Sequence, residues 1–354
     1  MTVEAYLGKA RERLRRDLDA FLAAKRREAG RVEPWGRDVL RRLAAFTRKG
    51  KMVRGGLVAL GSEMAAGRVA PAAVRAGVAF ELIQSGLLIH DDIMDRDARR
   101  RGAPSVHEQY ARLAGDLGPA EAAHFGTSMA ICAGEIAVFL AFEALAGLPG
   151  PAERAAAVQR LSAAEFGLVG LGQMLDVRAG TTRAPLTESA VLDIYRYKTA
   201  RYTFSLPLAA GWILGGGAGR VVPRLRRLGE TLGILFQIKD DELGLFGQAR
   251  RTGKPVGSDI RQGKQTLFSL RLFGAAAAAD RERLRSVFGR ADATEDDLGF
   301  VRALAERLGV REDVARTAAP LARRAEAAIR ALPVAARHRE LLGGLLAFNL
   351  GRRS

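Results

Sequence analysis

Apolar residues recur along this chain at three- and four-residue intervals, and no run alternates apolar with polar as a half-buried strand does. Good helix formers, chiefly Ala, Leu, Arg and Glu, are abundant throughout. The periodicity predicts helices over roughly 2–28, 35–47, 53–66, 71–95, 119–147, 151–179, 187–216, 221–245, 264–287, 294–308 and 310–331, with a last one to about 349. Breaks fall at Gly30, Gly67 to Pro71, Gly102 to Pro104, Gly147 to Pro151, Gly215 to Gly219 and Gly253 to Gly257. Linkers are short and no shift of composition marks a boundary. The expectation is an all-α fold, one domain over residues 1–354, built as a bundle of long helices around a central cavity.

With 48% hydrophobic residues in 354, the chain has the means to bury a large core. Its formal charge of +17 suits nucleic acid, a membrane surface or phosphorylated substrates. The basic residues are scattered, however, with neither an aromatic-interleaved stripe nor a nucleic-acid motif, so no nucleic-acid partner is expected. Cys132 is the single cysteine, which excludes a disulfide framework and a thiolate metal site. The N-terminus lacks the apolar core of a signal peptide, and the longest apolar run, Ser128 to Leu148, contains Glu135 and Glu143. A cytoplasmic protein with no stable membrane insertion is expected.

Within this helical frame one stretch is chemically unusual: Glu81 to Pro104, ELIQSGLLIHDDIMDRDARRRGAP. An apolar run leads into Asp91, Asp92 and Asp95, and arginines follow at Arg96, Arg99, Arg100 and Arg101. On a helix, Asp91 and Asp95 project from one face about one turn apart and repel each other by a few tenths of a kcal/mol. Such a pair calls for a cation, and oxygen-only ligands suit Mg²⁺, which completes its shell with water and phosphate. A solvated helix end with neutralising ion pairs would look similar. A second acidic helix end, about 150 residues later, argues against that reading: GILFQIKDDELGLFG, with Asp240 and Asp241. Two such helices could present carboxylates to a shared cavity in a bundle.

Basic residues occupy Gly-flanked segments where a phosphate would need them. Gly50-Lys51-Met52-Val53-Arg54-Gly55-Gly56 opens a helix, Lys254 lies in TGKPVGSD, Lys264 in RQGKQTL, and Lys198 with Thr199 in YRYKTARYTF. Acid pairs together with Gly-framed bases describe a Mg²⁺–diphosphate site.

These elements, in this order, resemble the all-trans polyprenyl diphosphate synthases, the family of farnesyl and geranylgeranyl diphosphate synthases. The resemblance runs from about residue 50 to 270. It rests on DDIMD at 91–95 with its Arg100-Arg101-Gly102 and Pro104 tail, on FQIKDD at 236–241, and on Lys51, Arg54, Gln84, Lys198-Thr199 and Gly253-Lys254-Pro255. It implies an isoprenoid synthase type I fold and a homodimer. It also implies Mg²⁺-dependent condensation of isopentenyl diphosphate with an allylic diphosphate. By the same resemblance Asp91 and Asp95 would bind two Mg²⁺ ions and Asp240 a third, with Asp92 and Asp241 supporting. Arg100, Lys198 and Lys254 would grip the allylic diphosphate, with Lys264 a further phosphate-binding base. Lys51, Arg54, Gln84 and Arg101 would hold isopentenyl diphosphate, and Gln237 and Thr199 would set dipoles near the developing cation.

The chain departs from the family pattern at Gly244, where many members carry a third aspartate, and at Gln84, where many carry histidine. Neither change removes a residue needed for metal contact. Leu87 and Ile83 lie one and two turns before Asp91, roughly 6 and 12 Å along the axis, with Gly86 beside them. Farnesyl-type members tend to plug this floor with aromatics. Leu87 and Gly86 instead imply a deeper tunnel and a geranylgeranyl product, unless Phe139 or Phe142 forms the floor. A farnesyl or longer product, a regulatory subunit of a heteromeric synthase, and a terpene cyclase are the remaining readings. The cyclase reading is weakened by the bases at Lys51 and Arg54, which a single-diphosphate enzyme does not need.

Overall fold

Some helix starts in this chain are set by a threonine cap and others by a proline in the first turn. Thr2 accepts the Ala5 amide at 3.3 Å and opens α1 (Val3–Ala29); Pro71 at the first position opens α4 (Pro71–Met94). The structure, a computed structural model, describes residues 1–182, 184–246 and 257–351. It divides into two units, Met1–Ser162 with Pro207–Val222, and Ala163–Leu206 with Pro223–Ser354.

The first unit continues with α2 (Trp35–Arg48) and α3 (Val53–Ala66), and after α4 comes a hairpin of β1 (Arg99–Arg100) and β2 (Ala103–Pro104). Then follow α5 (Val106–Ala111), α6 (Pro119–Ala146) and the start of α7 (Ala152–Thr181). α4 packs most extensively against α6 and α3, and is buried almost all round, through Val78, Phe80, Leu82, Ile83 and Ile89. Gly86 and Gly134 make the α4–α6 approach possible. A Cβ at Gly86 would lie 2.8 Å from the Gly134 carbonyl, and one at Gly134 would collide with the His90 ring. His90 Nε2 instead lies 3.2 Å from the Ile131 carbonyl. Both α4 and α6 are long and apolar enough to cross a membrane; the apolar window of α4 is 83% buried and that of α6 39%.

In the second unit, α7 is followed by α8 (Glu188–Ile194), which widens without a break into a π-helical segment, Tyr195–Ser205; the next helix, α9 (Leu206–Leu214), belongs almost wholly to the first unit. α10 (Val222–Phe246) carries the second acidic pair, followed by α11 (Ser258–Arg261), α12 (Leu267–Ala275), α13 (Ala278–Val287), α14 (Glu295–Arg307), α15 (Val310–Arg330) and α16 (Ala336–Gly351). Tyr195, Ile234, Ile238, Leu267, Phe268 and Leu298 are among the residues of its core. Gly229 and Gly233, one turn apart on α10, lie against the backbone of Ser205 and Ala200, so the π segment packs with no side chain between. The expected helix over 264–287 is two helices. Residues Ala276 and Ala277 are extended, and Arg281 donates to the freed carbonyls of Phe273 and Ala276 at 3.0 and 2.7 Å.

Candidate active site

In the first unit the acidic end of α4 divides its carboxylates by burial. Asp92 is fully buried; Asp91 and Asp95 are partly accessible one turn apart, and the Asp95 amide closes the helix on the Asp91 carbonyl at 2.8 Å. The hairpin folds back over this end because Arg101 (φ 53°) and Gly102 (φ 74°) take the left-handed conformation that a tight two-residue turn requires. That turn delivers Arg100, itself buried, to the aspartates. Its Nε donates to Asp92 Oδ1 at 2.5 Å and its Nη2 to Asp97 at 2.9 Å, with Asp91 at 3.7 Å. Burial pushes the Asp92 carboxyl up to about 6, against the pull of Arg100. Asp92 Oδ2 is buried with no hydrogen-bond partner among the described residues.

Beside this cluster, the start of α3 gathers the first set of bases. Met52 takes a left-handed conformation (φ 51°) just before the helix. Lys51 is exposed and Arg54 half-buried. Glu81, buried on α4, accepts the Gly55 amide at 2.9 Å and lies close enough to Arg54 and Arg101 for their charges to oppose the upward push of its burial. Arg101 donates to the Phe46 carbonyl at 2.6 Å, lies over the Phe46 ring, and leans on Gly50, where a Cβ would sit 3.2 Å from its guanidinium. Gln84, one turn after Glu81, is buried on the same helix.

The second unit repeats the division of labour. Asp240 is exposed and Asp241 buried. Thr199 donates to Gln237 Oε1 at 2.9 Å, and Gln237 Nε2 donates to Asp241 Oδ1 at 2.8 Å. The Tyr195 hydroxyl donates to the other Asp241 oxygen while accepting the Leu267 amide at 3.0 Å. Burial drives the Asp241 carboxyl well above its ordinary range, and the Tyr195 and Gln237 hydrogen bonds pull the other way. Lys239 turns aside to Glu242 at 2.9 Å. Lys198, on the π segment, pairs with Asp176 of α7, and Lys264 stands 4.0 Å from the same carboxylate, so two cations surround one anion. The π segment can approach α7 because a Cβ at Gly172 would fall 2.5 Å from the Lys198 amide nitrogen.

The family model described as polyprenyl synthetase matches residues 37–305. The chain belongs to that family. It is 35% identical over 257 residues to the geranylgeranyl diphosphate synthase of Saccharolobus solfataricus, covering 72% of this chain and 71% of the relative. It is 36% identical over 247 residues to the short chain isoprenyl diphosphate synthase of Methanothermobacter thermautotrophicus, covering 70% of each. Among solved structures, geranylgeranyl pyrophosphate synthase from Corynebacterium glutamicum, complexed with isoprenyl diphosphate and magnesium, superposes with a TM-score of 0.91 over 100% of both chains at 28% identity. As a polyprenyl synthetase this chain is a prenyltransferase with the all-α isoprenoid synthase fold.

The donor set of this polyprenyl synthetase fits magnesium. All candidate ligands are carboxylate oxygens, and no group of three or more His, Cys, Asp or Glu forms a closed cage among the described residues. Mg²⁺ at such a site keeps much of its water and takes phosphate oxygens. The buried, unpartnered Oδ2 of Asp92 is the polar atom that such a hydrated ion would satisfy.

The structure groups Asp91, Asp92, Asp95, Arg100 and Arg101, and separately Lys198, Thr199, Gln237, Asp240, Asp241 and Lys264; Lys254 lies outside the described residues. Arg100 already spends Nε and Nη2 on aspartates, which leaves Nη1 as its remaining group for a phosphate. Gly86 does not widen a tunnel: its missing side chain is taken up by α6. Ile83 is buried and Leu87 half-buried. Phe139 is 68% exposed and so does not pack as a floor under α4.

Sequence reasoning missed Glu81, Asp97, Asp176 and Tyr195. Only Tyr195 left a signal, one turn before Thr199 on the same helix. It also missed Asp259, whose carboxylate fills the space of the absent third acid: a Cβ at Gly244 would lie 2.7 Å from it.

Proposed function

We propose that this chain is a short-chain trans-prenyl diphosphate synthase that condenses isopentenyl diphosphate head-to-tail with an allylic diphosphate, with geranylgeranyl diphosphate as product. The carrying observation is the matched division within each acidic pair. Asp92 and Asp241 are buried and held by hydrogen bonds, whereas Asp91, Asp95 and Asp240 stand on the accessible side. In this reading Asp91 and Asp95 hold two magnesium ions and Asp240 a third, with Asp92 and Asp241 anchoring them. Bound magnesium would neutralise the diphosphate and make it a better leaving group.

The chain's own residues do the rest. Lys198, Lys264, Lys254 and the remaining donor of Arg100 bind the allylic diphosphate; Lys51, Arg54, Gln84 and Arg101 bind isopentenyl diphosphate. As the allylic C–O bond breaks, the Thr199 and Gln237 oxygens lie where their dipoles stabilise the cation. The double bond of isopentenyl diphosphate attacks that carbon, and the proton lost goes to the released diphosphate. The α4 face carrying buried Ile83 and half-buried Leu87 excludes water from the growing chain.

The twenty-carbon product is supported by Leu87, an aliphatic residue one turn before Asp91, and by the names of the relatives. The same proposal makes residues 1–354 one cytoplasmic synthase domain acting as a homodimer. α6 carries Ile131, Ile136 and Phe139 exposed in this chain, an apolar surface that a second copy would cover.

The test is incubation with Mg²⁺, isopentenyl diphosphate and each allylic primer, with sizing of the product. A C20 product lost in Asp91→Ala is expected. No consumption of isopentenyl diphosphate with any primer would refute the reading, and a C15 or longer product would refute the assigned length.

A further inference from the structure

At the corner between α1 and α2, in the first unit, a cavity of about 630 Å³ is lined by Arg26, Arg27, Gly30, Arg31, Arg37 and Arg41. We propose that this corner is a binding site for multiply charged phosphate groups, additional to the diphosphate residues described above.

Three elements converge to build it. Arg26 and Arg27 end α1, Arg31 lies in the connecting loop, and Arg37 and Arg41 stand one turn apart on one face of α2. Two of these cations have partners, Arg37 with Glu33 at 3.3 Å and Arg41 with Asp38 at 2.5 Å. Arg26, Arg27 and Arg31 form no ion pair among the described residues, and the nearby Glu28 turns away to Lys25. Five guanidiniums thus face two carboxylates around a concave surface. The carboxyl end of the α1 dipole offsets only part of this repulsion.

The lining also selects the ligand. It consists of five arginines and Gly30, with no aromatic, leucine, isoleucine or valine side chain among them. Guanidinium forks match phosphate oxygens in pairs, and the volume admits more than one phosphate. The site lies at the opposite end of α2 from Lys51 and Arg54; the 14 residues of that helix span about 20 Å. Its ligand is a free oligophosphate or a phosphate head group at a lipid surface, two sources of one chemistry that the probes distinguish. This inference does not depend on the synthase reading, because none of its arginines belongs to that machinery.

The test compares the wild-type chain with Arg27→Ala/Arg31→Ala/Arg41→Ala. Inorganic tripolyphosphate is titrated calorimetrically in EDTA, and vesicles with and without phosphatidylglycerol are co-sedimented. The expected result is one tripolyphosphate site fewer in the variant, weakened at least tenfold, with prenyl-transfer turnover unchanged. Equal tripolyphosphate stoichiometry with at least fivefold weaker capture by anionic vesicles also supports the site and makes the source a head group. Unchanged binding of both probes overturns the proposal. So does a variant that loses only retention of duplex DNA, since the arginines then belong to a nucleic-acid surface. Should the triple variant melt early, Arg27→Gln/Arg31→Gln, which leaves both ion pairs intact, is read in the same way.

Discussion

Replacing Tyr195 with Phe removes one oxygen atom that has two duties. The hydroxyl donates to a carboxylate oxygen of Asp241, at a site with almost no access to water, and it accepts the Leu267 amide at 3.0 Å. Losing the hydrogen bond to Asp241, whose carboxyl burial drives well above its ordinary range, costs about 0.5–1.5 kcal/mol, and stranding the buried Leu267 amide adds about 1–3 kcal/mol. Phe fills the same volume, so no cavity contribution is expected. Relaxation around the site places the total near 3 kcal/mol. With an unfolding entropy of about 2.1 cal/mol/K per residue, a chain of 354 residues shifts by about 1.3 °C per kcal/mol, so the midpoint of a thermal melt should fall by about 4 °C. The assay is urea unfolding in EDTA, followed by circular dichroism, on Tyr195→Phe, Asp241→Asn and the double variant. An unchanged m-value and a coupling of at least about 0.5 kcal/mol between the two sites are expected. A loss below about 1 kcal/mol, or strictly additive effects, would refute the claim that Tyr195 anchors the second aspartate pair.

Other perturbations bear on other parts of the molecule. Glu165 is buried, which pushes its carboxyl up, but bidentate contact with Arg201 at 2.8 and 2.7 Å and pairing with Arg226 carry it below its ordinary value. A depressed folded pKa gives stability that is present above pH 4.5 and is lost as pH falls through the folded value. Glu165→Gln should therefore cost about 1–3 kcal/mol at pH 7, discounted for partly exposed arginines, and the gap to wild type should close in acid melts below pH 4.5. Gly86→Ala should destabilise by about 1–3 kcal/mol in chemical denaturation, since its methyl would meet the Gly134 carbonyl at 2.8 Å. Leu87→Phe should shorten the product in a radiolabelled chain-length assay, and an unchanged length would remove Leu87 from the floor.

Element positions were legible because each long helix announces both its periodicity and its breakers. The helices expected over 53–66 and 71–95 are found at Val53–Ala66 and Pro71–Met94, bounded by Gly67 and Pro71. Three features were hidden for physical reasons. The break at Ala276 and Ala277 has one local signal, Gly274 two residues earlier, and is held by Arg281 reaching back to two carbonyls, a contact with no propensity signature. The π-helical segment reads as ordinary helix because one extra residue per turn shifts the face without changing composition. Short α5 and α11 fall below the length at which periodicity speaks.

The chemistry shows the same split between local and distant information. Asp91, Asp95 and Asp240 could be singled out because neighbours in sequence frame them. Asp176 and Asp259 are single acids, made relevant only by folding, which brings Asp176 to Lys198 and Asp259 to the bare backbone of Gly244. That last contact recasts the irregular acidic motif. A second-motif sequence with glycine in place of an acid looks depleted, yet the carboxylate is supplied from α11, 15 residues further along, into the space the missing side chain leaves open. Asp241 registers the charge, since Asp259 ranks next after burial among the influences raising its carboxyl. The absence at position 244 is therefore a vacancy in the motif but not in the electrostatics of the site.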